Sequence, residues 1–185
     1  GYCSQTSVDQ GGRLDLHLAD DGGGTNATLR VRRVLSGETV HTVSVHVDPH
    51  PVPDDLALDH NWPVAVEIPI PPAWTSGLYT IDLSPDDDPA DPLFVVTPAD
   101  PGRHADILVA VPFPTYHAYA YAGDTPGASV YWNEQPGRAR RVSVRRPSPI
   151  DLASEVPILR WLADSGLPVE YCSGYDLDGG RALLE

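Results

Sequence analysis

The sequence predicts a β-sandwich followed by the first part of an α/β domain, with the two joined near residues 98–104. Two observations carry this expectation. Residues 1–97 contain about six runs of alternating apolar and polar residues separated by turn-rich gaps, the pattern of a half-buried antiparallel sheet. After Pro101-Gly102 the pattern changes to a continuous apolar run, then a helical stretch, then a second short strand.

The elements follow in order. Leu14, Leu16 and Leu18 alternate with Asp15 and His17, and the turn Asp20-Asp21-Gly22-Gly23-Gly24 ends that strand. Leu29 and Val31 stand on one face of the run from Ala27 to Leu35, with Arg30 and Arg32 on the other. Val43, Val45 and Val47 alternate with Thr42, Ser44 and His46, and Val64, Val66 and Ile68 with Ala65 and Glu67. Tyr79, Ile81 and Leu83 alternate with Thr80 and Asp82, and Leu93 to Val96 is a last short run. Most of the prolines fall in the connections, where they cost no ladder hydrogen bond. Ile107 to Val111 reads as a strand covered on both faces. Leu152, Val156, Leu159 and Leu162 recur at helical spacing between Asp151 and Asp164, with Gly166 placed as a C-cap. Val169 to Cys172 is the second strand, and a further helix is expected to begin around Gly180-Arg181-Ala182-Leu183. Two strands and one helix do not cover both faces of a parallel sheet. The expectation is therefore a segment of something longer, with another chain completing the sheet as the alternative.

Charge excludes one class of partner. The net charge is -14, and all 12 cations are Arg, so the concentrated positive surface that phosphate binding needs is missing. No apolar run approaches the roughly 20 residues that cross a bilayer, so neither nucleic acid nor a membrane is expected. No signal-like segment is visible and the chain opens at Gly1, which fits a processed or cut N-terminus; localisation stays open. The acids read as a solvated surface. Calcium at Asp86-Asp87-Asp88 is the sharper alternative, but that run lacks the alternating spacing of an EF-hand loop. Cys3 and Cys172 are far apart, without CxxC spacing, and read as free thiols rather than a disulfide between the two parts.

Ligands in open α/β sheets sit beyond the carboxyl ends of the strands, so the residues after Val111 are the place to look for chemistry. Tyr116, His117, Tyr119, Tyr121, Tyr131 and Trp132 fall within 17 residues. Three readings compete for this aromatic loop: packing against the sandwich, a platform for a glycan or other ligand, and a metal site, because ionised Tyr oxygen is a hard donor suited to ferric iron. There is no GxSxG elbow, HExxH helix or phosphate-binding glycine loop. His41, His46, His50 and His60 read as surface or satisfied residues. Arg145-Arg146-Pro147 either places a cation near an anionic substrate or pairs with the abundant acids.

The order of the motifs adds a resemblance. Trp74-Thr75-Ser76-Gly77-Leu78-Tyr79, Phe94-Val95-Val96, Ile107-Leu108-Val109, Thr115-Tyr116-His117-Ala118-Tyr119 and Ser129-Val130-Tyr131 come first. Val142-Ser143-Val144-Arg145-Arg146-Pro147, Leu159-Arg160-Trp161-Leu162 and Val169-Glu170-Tyr171-Cys172 follow, with Asp176-Leu177 last. This ordered set resembles the large (beta) subunit of N,N-dimethylformamidase and proteins similar to its C-terminal region. The resemblance implies an immunoglobulin-like sandwich over residues 1–100. It also implies the N-terminal part of a glutamine-amidotransferase-like (flavodoxin-like) α/β domain over residues 101–185. It further implies an amide hydrolase acting on a small linear amide, with a mononuclear iron held by two Tyr oxygens and one Glu. By motif position the two Tyr fall on Tyr119 and Tyr131, with Tyr116 as the alternative for the first. The Glu belongs to a His-Asp-Glu-Tyr-Trp-like motif that residues 1–185 do not contain, and its place is expected downstream. His117 is the candidate to protonate the leaving amine. A homo-oligomer is compatible with this reading. The alternative function is a non-catalytic module that binds a glycan or a protein partner through the sandwich and the aromatic loop.

Overall fold

A computed structural model of the chain describes residues 1–84, 92–120, 128–131, 138–148, 150 and 152–179. Asp86 to Asp88, Tyr121, Trp132 and the helix expected around residues 180–183 lie outside the described residues. The fold is strand-rich with few helices. Its strands in chain order are β1 (Tyr2–Cys3), β2 (Ser7–Asp9), β3 (Arg13–His17), β4 (Thr25–Arg33), β5 (Thr39–Val47), β6 (Val64–Pro69), β7 (Gly77–Ser84), β8 (Leu93–Thr97), β9 (Ile107–Val111) and β10 (Val169–Ser173). Three short helices accompany them: α1 (Phe113–Tyr119), α2 (Val156–Asp164) and α3 (Gly174–Asp178).

The alternating runs become two sheets. One is three-stranded in the order β1-β3-β6, with Leu14 opposite Ile68 and Leu16 opposite Val66. The other is five-stranded in the order β2-β8-β7-β4-β5, with Leu29 opposite both Val43 and Leu83. A period of two puts every second side chain on one face. Leu14, Leu16 and Ile68 of the first sheet therefore share one buried cluster with Leu29, Val31, Ile81 and Phe94 of the second. The polar set faces outward, where Arg32 and Asp82 pair at 2.8 Å. Tyr79 closes this core by stacking between Trp74 and Phe94 and donating its hydroxyl hydrogen to the Thr75 carbonyl at 2.8 Å. In the turn after β3, Asp20 accepts the Gly22 N–H at 3.0 Å, and Gly24 adopts a φ of 90° that glycine tolerates without strain.

Strand β8 is buried on both faces. Phe94 and Val96 point into the core shared by the two sheets, while Leu93 and Val95 join a second cluster with Val111, Phe113, Tyr116, Leu159 and Tyr171. That cluster seats the C-terminal part of the chain on the outer side of the five-stranded sheet. Three side-chain bonds fasten the same seam: Thr6 to Ser173 at 2.8 Å, Ser7 to Asp176 at 2.7 Å, and the Tyr171 N–H to Ser76 at 2.8 Å.

Strands β9 and β10 pair in parallel, with Ile107 opposite Val169, and α2 lies between them in sequence. Four details differ from expectation. Helix α2 begins at Val156 instead of near Asp151, because Pro157 lacks an N–H and is tolerated only in a first turn. Gly166 does end it, at a φ of 68°. The residues after β9 are not all loop: Phe113–Tyr119 are helical, with Pro114 again in the first turn. Ser173 caps an unforeseen helix, α3, through a capping box with Asp176. Finally, Ile107, Leu108 and Val109 are half-buried and Ala110 is exposed, so among the described residues β9 is covered less than its apolar run implies. No helix among the described residues is long and apolar enough to cross a membrane.

Neither cysteine is in a disulfide, as expected. Burial pushes the Cys3 thiol up to about 12. Relative to an ordinary thiol, this lowers its thiolate fraction at pH 8 by about a thousandfold. An aromatic disulfide reagent at pH 8 is expected to leave Cys3 unmodified over minutes in the folded protein and to titrate both thiols in denaturant. Cys3 is partly exposed, so rapid modification in the native state would show that its thiol is not held protonated.

Candidate functional site

Two features beyond the end of β9 concentrate the chemistry. The first is a pair of tyrosines. The α1 helix delivers Tyr119 in its last turn, and Tyr131 comes from the segment 128–131. Their rings stack at 4.0 Å between centroids with 11° between planes, and they are 55% and 49% exposed. Ser129 builds this pairing. Its hydroxyl reaches the Ala118 carbonyl at 3.0 Å and the Tyr119 carbonyl at 3.2 Å, and it accepts the Tyr131 N–H at 3.2 Å. The Val130 N–H also bonds the Ala118 carbonyl at 3.0 Å. The segment carrying Tyr131 is thus stapled to the end of the helix carrying Tyr119.

The second feature is a cleft of about 430 Å³ between the N-terminal segment and the residues after β9. Thr6 and Ser7 line one side; Phe113, His117, Arg146 and Tyr175 line the other. His117 is 6% exposed. Its Nδ1 shares a 3.1 Å hydrogen bond with the Tyr175 hydroxyl, and the two rings stack at 5.8 Å. Burial first, and the Arg146 guanidinium second, pull its imidazole down to about 4, so it is neutral at pH 7. Arg146 is 1% exposed and is held entirely by backbone carbonyls. Its Nη2 donates to His117 at 3.1 Å and to Ala120 at 2.7 Å, its Nη1 to Leu56 at 3.3 Å, and its Nε to Ser143 at 3.2 Å. The first two acceptors are the C-terminal carbonyls of α1, where a cation is favoured. Burial lowers the affinity of this guanidinium for its proton.

The family comparison can be set beside this geometry. The family model described as N,N-dimethylformamidase beta subunit-like, C-terminal, matches residues 21–185. That span takes in every strand from β4 onward, all three helices, the tyrosine pair and the lining residues from Phe113 to Asp176. The chain belongs to this family. No curated protein matches the chain.

Within this member of the dimethylformamidase-like family, the four residues singled out by sequence separate into three places. Tyr119 and Tyr131 meet each other. Tyr116 instead enters the second buried cluster, edge-on to Phe113 at 5.8 Å, with its hydroxyl near the Glu155 carboxylate. Burial, followed by the nearby Glu155 carboxylate, pushes its phenol well above the ordinary range, which favours a protonated ring over an anionic donor. His117 lines the cleft, and neither Tyr119 nor Tyr131 is among that cleft's lining residues. His60 departs from the surface part of its expectation: it is buried, edge-on to Trp62 at 5.0 Å, and burial lowers the pKa of its ring. Sequence reasoning missed the roles of Ser129, Glu155 and Tyr175, because each acts through a contact with a residue distant along the chain. For Arg146 it offered a surface pairing with acids or an anionic substrate. The structure buries the residue, with no acid on it among the described residues.

Proposed function

We propose that this chain is part of an amide hydrolase of the dimethylformamidase type, in which Tyr119 and Tyr131 are two donors to a mononuclear iron. In this reading the β-rich residues 1–100 are an immunoglobulin-like sandwich. Residues 101–185 begin a glutamine-amidotransferase-like α/β domain. The observation that carries the proposal is the stacking of two exposed phenols at 4.0 Å within a chain of this family. Phenol oxygens are hard donors that suit ferric iron, and two donors leave coordination positions open. Among the described residues no group of three His, Cys, Asp or Glu comes together, so the donor set rests on the tyrosines. Bound there, iron would supply Lewis acidity toward an amide carbonyl. The protein's own share is positioning. Ser129 fixes the spacing of the two rings, and Arg146 holds the helix end that presents Tyr119. His117 keeps Nδ1 engaged by Tyr175, which leaves Nε2 as the atom that exchanges a proton in the cleft.

Purified protein loaded with ferric iron is expected to bind roughly one ion per tyrosine pair and to show a tyrosinate-to-iron band in the visible. Tyr119→Phe and Tyr131→Phe should each abolish the band. Each should also cut hydrolysis of a small linear amide by more than the roughly 10–100-fold that loss of an outer-shell partner costs. A colourless, iron-free protein with its fold intact would sink the metal reading. The same two exposed rings also suit a non-catalytic module that stacks on a glycan. Glycan binding that survives chelators and is lost in Tyr119→Ala would favour that reading instead.

A further inference from the structure

We propose that the cleft beside His117 and Arg146 binds a small monocarboxylate, with Arg146 as its counter-charge and the apolar wall receiving the rest of the ligand. Among the described residues Arg146 is a cation without an anion. The four carbonyls that hold Arg146 accept four of its five N–H groups but carry no net charge. No carboxylate lies within ion-pair distance of it among the described residues, although the chain carries 26 acids to 12 cations. A guanidinium at 1% exposure is costly unless an opposite charge completes it, and among the described residues one Nη1 hydrogen has no acceptor.

The surroundings say which anion fits. Arg146 lines an open cleft whose volume lies within the range of small-molecule sites. Thr6, Ser7, Ser148 and the neutral His117 are among the uncharged polar residues that line it. Asp176, the acid on that wall among the described residues, already accepts from Ser7 at 2.7 Å and from the Ser173 N–H at 2.8 Å. Its charge admits a monoanion beside Arg146 and disfavours a dianion such as phosphate. Leu93, Phe113, Val144 and Ile150 supply the apolar part, so a short alkyl chain should add affinity. This inference does not require metal at Tyr119 and Tyr131, since neither residue lines the cleft.

The test is calorimetric titration of the purified, metal-free protein with acetate, butyrate and phosphate at constant ionic strength, alongside Arg146 side-chain nitrogen spectra. Saturable binding is expected, with butyrate about tenfold tighter than acetate, phosphate weaker than both, and the Arg146 Nε resonance shifting with occupancy. Ser148→Phe, which fills the cleft from a partly exposed wall position, should abolish binding while leaving the circular dichroism spectrum unchanged. Absence of saturable carboxylate binding to the wild-type protein would overturn the proposal. So would phosphate binding tighter than butyrate, or undiminished binding in a folded Ser148→Phe protein. Iron uptake by the tyrosine pair is measured separately, so failure here and failure of the amide-hydrolase reading are distinguishable.

Discussion

Replacing Phe94 with alanine is expected to destabilise the protein by about 3–5 kcal/mol, measured by denaturant unfolding. The side chain is fully buried and stacks on Tyr79 at 5.6 Å, which in turn stacks on Trp74 at 5.4 Å. Truncation removes the ring's transfer free energy and leaves a cavity at the point where residues of both sheets meet. The neighbours have little freedom to close it. Tyr79 is tethered through its hydroxyl to Thr75, and Val96 is fixed by the pairing of β8 with β7. Phe94→Leu keeps most of the volume and should cost well under half as much. Because β8 also carries Leu93 and Val95 into the second cluster, the loss should be felt on both sides of the strand. A cost below about 1 kcal/mol for Phe94→Ala would mean that the core is not packed around this ring.

Arg146→Met should be nearly as severe, at about 3 kcal/mol, although it removes a buried charge. Methionine matches much of the volume and relieves the desolvation of the guanidinium. Against that gain stand four carbonyls, at Leu56, His117, Ala120 and Ser143, each losing its Arg146 donor in a water-poor setting. Four such losses outweigh one relieved charge. Arg146→Lys should fall between wild type and methionine, since a single ammonium on a flexible stem cannot span the same fork of acceptors. The end of α1 should loosen at the same time. Near-ultraviolet circular dichroism from the stacked Tyr119 and Tyr131 is therefore expected to weaken in both variants. A methionine variant within 1 kcal/mol of wild type would show that the carbonyls find other donors.

Much of this architecture was legible beforehand, for a physical reason. Strand register in a one-face-buried sheet follows from a period of two, and Leu14-Leu16, Leu29-Val31 and Tyr79-Ile81 display that period openly. The parallel β9–β10 pair announced itself through an apolar run, a helical stretch and a second strand. The double burial of β8 was available too, since Leu93-Phe94-Val95-Val96 lacks the polar alternation of a strand with one wet face. Short β1 and β2 were not legible. Two- and three-residue strands carry no period, and they exist because β3 and β8 offer them edges.

The candidate site divides in the same way. The sequence by itself determined that aromatic and phenolic groups would gather after β9; it was the family resemblance that pointed to Tyr119 and Tyr131, with Tyr116 as the alternative for the first. Only the tertiary structure decided that these two meet, through a Ser129 hydroxyl bonded to carbonyls about ten residues upstream. It also separated Tyr116 into the apolar seam and His117 into a different cleft, because neighbours on a short helix point to different faces. The clearest case is Arg146. A run of Arg-Arg-Pro in an acid-rich chain gives no sign of burial, since local sequence encodes which groups can pair and not which ones the fold brings within reach. Folding enclosed this cation among carbonyls and, among the described residues, left it without an acid. That outcome is set by the convergence of the α1 end and the carbonyls of Leu56 and Ser143 on one side chain, through bonds that span up to 90 residues of chain.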